Sequence, residues 1–380
     1  MTSDNPVQVF ANPRRVPEPA IPAVGSGPRA FHRRLPGYQP TPLVSAPALA
    51  DRFGLGHVWV KDESRRLGLP SFKILGASWA IYRLLLERLQ FEHGGVEPAW
   101  ADLAELRTAL TPLGPLTLVA ATDGNHGRAV AHMARLLGYP ARILVPAGTV
   151  DARIAGIESE GATVAVVDGT YDDAVAASAR LAADDVLVVS DTSWDGYVDV
   201  PAHVIEGYAT IFAEVDEQLD GSTPDIVIVP MGVGALTAAV VAHYATSASI
   251  AAVEPISAAC GLASARAGYP VLVPGPHPSI MAGLNCGTVS LIAWPAVLAG
   301  VDVFVAVDDG AAEQAMRDLA GFGIVAGETG AASLAGLGAL ADAGRLPSFV
   351  PAGGDALVLC TEGATDPSAY ERIVGSPPPD

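Results

Sequence analysis

Between residues 116 and 189 the chain alternates short apolar runs with helical stretches and has room for little else. The runs 116–121, 141–145, 163–167 and 186–189 are rich in Val, Leu and Ala, and 128–137, 150–160 and 171–183 read as helices. Strands of this kind, separated by helices of about ten residues, predict a parallel sheet with helices on both faces. A second series follows. Helices are expected at 202–218, 235–246, 258–267, 309–320 and 329–343, and strands at 225–229, 250–253, 303–307 and 356–359. Two α/β blocks therefore meet near residue 200. Upstream, 46–53 reads as a helix and 57–60 as a strand, with further helices from 74 to near 94–95 and over 102–110. Residues 1 to about 30, rich in Pro, Arg and small residues, show no period and read as an arm. Prolines keep 35–43 extended.

Composition narrows the classes of partner. At 380 residues, half of them hydrophobic, the chain is long enough for two domains. A net charge of −19 argues against nucleic acid and anionic membrane as partners. No apolar run reaches the ~18 residues of a membrane span. The opening Met-Thr-Ser-Asp-Asn-Pro lacks a basic region followed by an apolar run, so no signal peptide is expected and the cytoplasm is the expected compartment. Cys260, Cys286 and Cys360 fit neither a disulfide framework nor a metal spacing, and read as small buried hydrophobes.

In sheets of this class ligands sit where strand ends lead into helices, and four such places hold reactive residues. The first is Lys73, which stands among apolar neighbours after Ser71, a good N-cap for a helix from Ile74 onward. Burial and a helix start both disfavour its ammonium form, so a lowered pKa and Schiff-base chemistry are expected. A solvated surface lysine is the plain alternative. The second is Thr122-Asp123-Gly124-Asn125-His126-Gly127, whose glycines allow a tight turn and whose amides face an anion; an Asx-turn explains it as well. The third is Met231-Gly232-Val233-Gly234-Ala235-Leu236-Thr237, a candidate phosphate cradle. With Glu254 it also imitates a dinucleotide fingerprint, but the third glycine is missing. The fourth is Thr361, a neutral hydroxyl at the last strand end. Asp191-Thr192-Ser193-Trp194-Asp195-Gly196-Tyr197 adds an acidic, aromatic loop. A Schiff-base lysine, an amide cradle, an asparagine and a hydroxyl are together what pyridoxal phosphate needs.

These motifs resemble the fold type II pyridoxal-phosphate enzymes, such as threonine dehydratase and tryptophan synthase β. The parallels are Ser71-Phe72-Lys73, Gly124-Asn125-His126, Gly232-Val233-Gly234-Ala235-Leu236 and Thr361. Lys61-Asp62-Glu63-Ser64, Asp123, Tyr171-Asp172-Asp173, the 191–197 loop and Thr361-Glu362-Gly363 are similar to the diaminopropionate ammonia-lyases in particular. The resemblance implies two open, twisted, mostly parallel α/β domains, residues 1–72 with 200–380 and residues 73–199, and a site in the cleft between them.

It further implies that Lys73 forms the Schiff base and takes the α-proton of an L-substrate. Gly232, Val233, Gly234, Ala235 and Leu236 would hold the phosphate, Asn125 the phenolic oxygen and Thr361 the ring nitrogen. Asp123 becomes the base for a D-substrate with Asp191 as its acidic partner, and Ser71, Thr122, His126 and Tyr171 complete the substrate contacts. No metal is implied. The expected reaction takes 2,3-diaminopropionate to pyruvate and two ammonia through aminoacrylate, in a homodimer. A serine or threonine dehydratase is the alternative, supported by Ser71-Phe72-Lys73 and opposed by Asp123. A disulfide between Cys260 and Cys286 stays open, and a thiol count would decide it.

Overall fold

The computed structural model describes residues 7–94 and 97–379. Residues 1–6, where no leader is expected, lie outside the described residues, as do 95, 96 and 380. In chain order the elements are β1 (Gln8–Ala11), α1 (Gly27–His32), β2 (Leu43–Ser45), α2 (Pro47–Phe53), β3 (His57–Asp62), α3 (Lys73–His93) and α4 (Leu103–Leu110). There follow β4 (Thr117–Ala121), α5 (Asn125–Leu137), β5 (Ala141–Pro146), α6 (Asp151–Glu158), β6 (Thr163–Val167), α7 (Tyr171–Ala179), β7 (Val186–Val188) and α8 (Asp199–Gln218). The rest comprises β8 (Ile226–Pro230), α9 (Ala235–Tyr244), β9 (Ser249–Pro255), α10 (Cys260–Ala267), α11 (Trp294–Gly300), β10 (Val303–Val307), α12 (Asp309–Ala320), α13 (Ala332–Asp342), β11 (Asp355–Cys360) and α14 (Pro367–Val374).

The chain packs into two compact units. The first holds Met1–Val24, Pro40–Arg65 and Ile211–Asp380; the second holds Gly25–Gln39 and Arg66–Thr210. Residues 25–39, 66–72 and 200–210 thus fall in the second unit, not with the larger block where the sequence pattern puts them. Aromatic packing is the reason. Phe31 of α1 stacks on Tyr82 of α3 at 4.6 Å between ring centroids and touches Trp79 and Trp100. The buried His32 ring bonds Thr210 and the Leu75 carbonyl.

The first unit is a seven-stranded sheet in the order β1-β10-β9-β8-β11-β3-β2. Its five inner strands run parallel and both edge strands antiparallel. Part of the expected arm is the edge strand β1, which pairs with β10. Four residues are too few to print a period, so only the pairing reveals the strand. The parallel strands are continuously apolar because helices cover both faces: every residue of β8 and β10 is buried. Helix α13 reaches the sheet through small residues, and a Cβ at Gly336 would clash with Val253 Cγ2 and lie 3.0 Å from its Cγ1.

The second unit is a four-stranded, wholly parallel sheet in the order β6-β5-β4-β7. Strand order reverses between β4 and β7 here, and between β8 and β11 in the first unit. Such reversals open a crevice at the carboxyl ends of the two strands, which fixes where each unit offers a site.

Candidate active site

In the second unit the reversal brings together the loops that follow β4 and β7. The first carries Thr122 to Gly127. Thr122 Oγ1 accepts the Gly124 amide at 2.9 Å, and Gly124 has a φ of 149°, which turns the chain sharply into α5. Helix α5 therefore starts at Asn125, three residues before the expected 128. Gly127 sits so close to the sheet that a Cβ would lie 2.5 Å from Ile143 Cγ2 and closer still to Thr122 Cγ2. Asp123 and Asn125 remain partly exposed at the helix start, whereas His126 turns inward.

The second loop carries Asp191. Tyr197 pins it: the hydroxyl accepts the Ser190 amide at 3.0 Å and donates to the Val188 carbonyl at 2.8 Å. Trp194 stacks on the same ring at 4.1 Å, while Asp195 points to solvent. Asp191 is 6% exposed at its side chain.

Lys73 meets this loop. Helix α3 begins at Lys73 itself with Phe72 as its cap residue, and Ser71 is buried and accepts the Lys73 amide at 3.3 Å. The Lys73 ammonium donates to Asp191 Oδ2 at 2.6 Å, and Tyr171 Oη donates to Asp191 Oδ1 at 3.1 Å. Here the sequence-based expectation of a lowered lysine pKa is overturned. Burial does oppose the ammonium form, but Asp191, Tyr208 and Asp123 outweigh it and hold the amine above its ordinary value. Burial likewise opposes the Asp191 carboxylate, but the charge of Lys73 and hydrogen bonds from Lys73 and Tyr171 hold it below the usual carboxylate range. His126 is driven the other way: burial lowers its pKa. Its Nε2–H donates to the Val189 carbonyl at 2.9 Å, which leaves Nδ1 as the lone-pair nitrogen, 4.0 Å from Asp191 Oδ2.

In the first unit the reversal places two more of the expected residues at adjacent strand ends. The 231–237 loop follows β8 and Thr361 follows β11, the strand paired with it. Gly234 is left-handed, with a φ of 98°, and α9 starts at the next residue, so its first amides have no helical acceptor. A Cβ on Gly232 would crowd the Gly283 carbonyl at 3.1 Å and Cys286 Sγ at 3.2 Å. Thr361 is 2% exposed, and its hydroxyl is buried with no partner among the described residues. A glycine cradle at a helix start and an unsatisfied buried hydroxyl on the neighbouring strand fit the phosphate and ring nitrogen of pyridoxal phosphate.

Glu254 does not play the part that a dinucleotide fingerprint needs. It lies inside the protein, and its two oxygens accept the Gly261 and Leu262 amides at 2.7 Å each, capping α10. Burial pushes its carboxyl up to about 8 against those two bonds. All three cysteines are buried, as expected of small hydrophobes.

The sequence also held a signal not used in placing Lys73. The chain contains two lysines, Lys61 and Lys73. Lys61 is fully buried in the first unit, where its ammonium bonds Glu214, Gln218 and the Thr41 carbonyl at 2.8–2.9 Å. The other, Lys73, is 20% exposed at its side chain.

The family model for pyridoxal-phosphate dependent enzymes matches residues 34–351. The chain belongs to the pyridoxal-phosphate dependent enzymes. Its sequence is 35% identical to the diaminopropionate ammonia-lyase of Salmonella typhimurium over 375 residues, covering 92% of each chain. Its fold superposes on the Escherichia coli diaminopropionate ammonia-lyase in complex with D-serine with a TM-score of 0.87 at 33% identity, covering 97% of this chain and 96% of that one. The same enzyme in complex with an aminoacrylate-PLP azomethine reaction intermediate gives 0.86 at 32% identity and the same coverage. Membership accounts for both sheets as those of a fold type II member, and makes pyridoxal phosphate the cofactor.

Proposed function

We propose that this enzyme is a carbon–nitrogen lyase that eliminates ammonia from 2,3-diaminopropionate. Aminoacrylate is released and hydrolyses to pyruvate and a second ammonia. When bound, pyridoxal phosphate supplies the electron sink for the α-carbon. The residues of this chain do the rest. In the first unit the amides of Gly232, Val233, Gly234, Ala235 and Leu236 bind the phosphate, and Thr361 Oγ1 bonds the ring nitrogen. In the second unit Asn125 bonds the phenolic oxygen. Lys73 Nζ holds the cofactor and takes the α-proton of the L-isomer; Asp123 takes that of the D-isomer. Ser71, Thr122, His126 and Tyr171 orient the substrate around them.

The observation that carries this reading is the 2.6 Å contact from Lys73 to Asp191, on an amine that also feels Asp123. Two carboxylates around one amine make a wall that favours ammonium groups. The leaving amine of diaminopropionate departs well only when protonated, and Asp191 Oδ2 is placed to keep a proton there.

We also read the enzyme as a cytoplasmic homodimer. Among the described residues no helix is long and apolar enough to cross a membrane. Tyr269 and Leu272 stand 65% and 63% exposed, a cost that a second copy would relieve. The deciding assay measures pyruvate from D- and L-diaminopropionate, D- and L-serine and threonine at equal enzyme. Fastest release from diaminopropionate is expected, and release from serine or threonine alone would falsify the assignment. Lys73→Ala should lose the visible absorption of bound cofactor together with turnover.

A further inference from the structure

The turn Gly327-Glu328-Thr329-Gly330 precedes α13 and has the composition of a helix cap, yet Thr329 does not cap that helix. Helix α13 starts at Ala332, and its cap residue Ala331 makes no side-chain bond. The Thr329 hydroxyl instead accepts the Gly283 amide, 46 residues away in sequence, at 3.1 Å. The Thr329 amide donates to Glu362 Oε1 at 3.1 Å, and the Gly327 amide donates to the Glu362 carbonyl at 3.0 Å. A Cβ on Gly330 would run into that carbonyl, and one on Gly327 into the Gly363 carbonyl. The turn therefore lies directly on the segment that follows Thr361. Thr329 and Glu362 are both buried. At the far end of this chain of bonds is the 231–237 loop. Gly283 belongs to a short turn, 282–284, and its carbonyl and the Leu284 Cα would meet a Cβ on Gly232 at 3.1 and 3.5 Å. All of these residues lie in the first unit.

We propose that Thr329 is a positioning residue for the cofactor phosphate, its hydroxyl holding the 282–284 turn against Gly232 and so fixing the phosphate loop relative to Thr361. This role rests on reading residues 232–236 as the phosphate cradle. Pyridoxal phosphate is a stiff ring with its phosphate on a short arm, so phosphate and ring nitrogen must be met at one spacing. Backbone amides hold an anion well only while all of them stay aimed at it. Glycines leave such a loop permissive, so its stiffness must come from neighbours that are themselves bonded in place. Here two hydrogen bonds supply it. Glu362, next to Thr361 in the chain, holds Thr329, and Thr329 holds the turn that backs Gly232.

The test needs no turnover. Full-length protein stripped of cofactor is titrated with pyridoxal phosphate and, separately, with pyridoxal, which lacks the phosphate, and bound colour is read in the visible. Both ligands present the same aldehyde to the same amine, so the ratio of their affinities reports the phosphate contacts. Thr329→Val keeps the shape of the side chain and removes the acceptor. It should weaken pyridoxal phosphate about tenfold, the worth of one ordinary hydrogen bond, and leave pyridoxal within twofold. Thr329→Ala, which adds no atom that could clash, should give the same split. Thr329→Ser keeps the hydroxyl and should restore the parental ratio. If the valine and alanine variants lower both affinities alike, or neither, Thr329 serves only the fold and the role is overturned. Gly232→Ala checks the cradle itself. An unchanged ratio in that variant would show that the 232–236 loop does not hold the phosphate, and the role of Thr329 falls with it.

Discussion

Tyr171 donates its hydroxyl to Oδ1 of Asp191 at 3.1 Å and leaves the other carboxylate oxygen to the Lys73 amine. The two oxygens of one buried acid thus divide their work between an anchor and a proton partner. Orientation comes from the first and charge from the second.

Asp191→Asn separates these two duties, since the amide keeps the volume and a hydrogen bond but not the charge. Lys73 then meets the burial penalty without its carboxylate, so its pKa falls. The pH midpoint for colour formation on adding pyridoxal phosphate to cofactor-free protein should drop by roughly one unit or more. An unmoved midpoint would show that Asp191 does not set the charge on Lys73.

Asp123→Asn is expected to cost the D-diaminopropionate reaction about 100-fold or more, the scale of a lost general base. The L-reaction should fall only severalfold, because Lys73 serves that face. Comparing kcat/KM for the two isomers checks it, and equal losses would remove Asp123 as a D-specific base.

Thr361→Val tests the orphaned hydroxyl. In the cofactor-free protein the hydroxyl satisfies nothing, so denaturant unfolding should show no loss of stability. Cofactor affinity, by contrast, should weaken about tenfold, the worth of one ordinary hydrogen bond. If stability fell and affinity held, the hydroxyl would be serving the fold.

Gly127→Ala should destabilise the second unit by roughly 1–3 kcal/mol. The added methyl would press on Ile143 and Thr122, where helix and sheet are in closest approach. Denaturant midpoints measure this. The same variant moves the 122–127 loop, so activity on both isomers should fall together.

Glu254 predicts a pH dependence of opposite sign to that of an ordinary paired acid. Between the ordinary 4.5 and about 8 the folded protein keeps a proton that the unfolded chain has released. The contribution of Glu254 to stability therefore declines as pH rises through that window, by up to about 1.4 kcal/mol per pH unit. Glu254→Gln should flatten that decline. It should also cost roughly 1–3 kcal/mol at the acid end, since the amide nitrogen cannot accept one of the two backbone amides. A parallel pH profile in the variant would contradict the raised value.

Much of the fold was legible in the sequence. The alternation of strands and helices fixed the class, because buried parallel strands and their return helices leave a pattern in short windows. The glycines at 124, 232 and 234 marked turns for the same reason: only their backbones fit. Edge strand β1 was hidden, being too short for a period. The sign of the Lys73 shift was hidden too. Burial can be guessed from apolar neighbours, but the decisive carboxylate is 118 residues away in sequence and reaches the amine only through the order of β4 and β7.

The antiparallel strand β1 has a consequence for handling the protein. Without it, β10 would present a bare row of amide and carbonyl groups flanked by buried Val and Phe side chains. Such an edge recruits strands from other molecules. Residues 8–11 are therefore a guard against self-templating. A tag or truncation there risks turning a well-behaved enzyme into an aggregate, with every catalytic residue still in place.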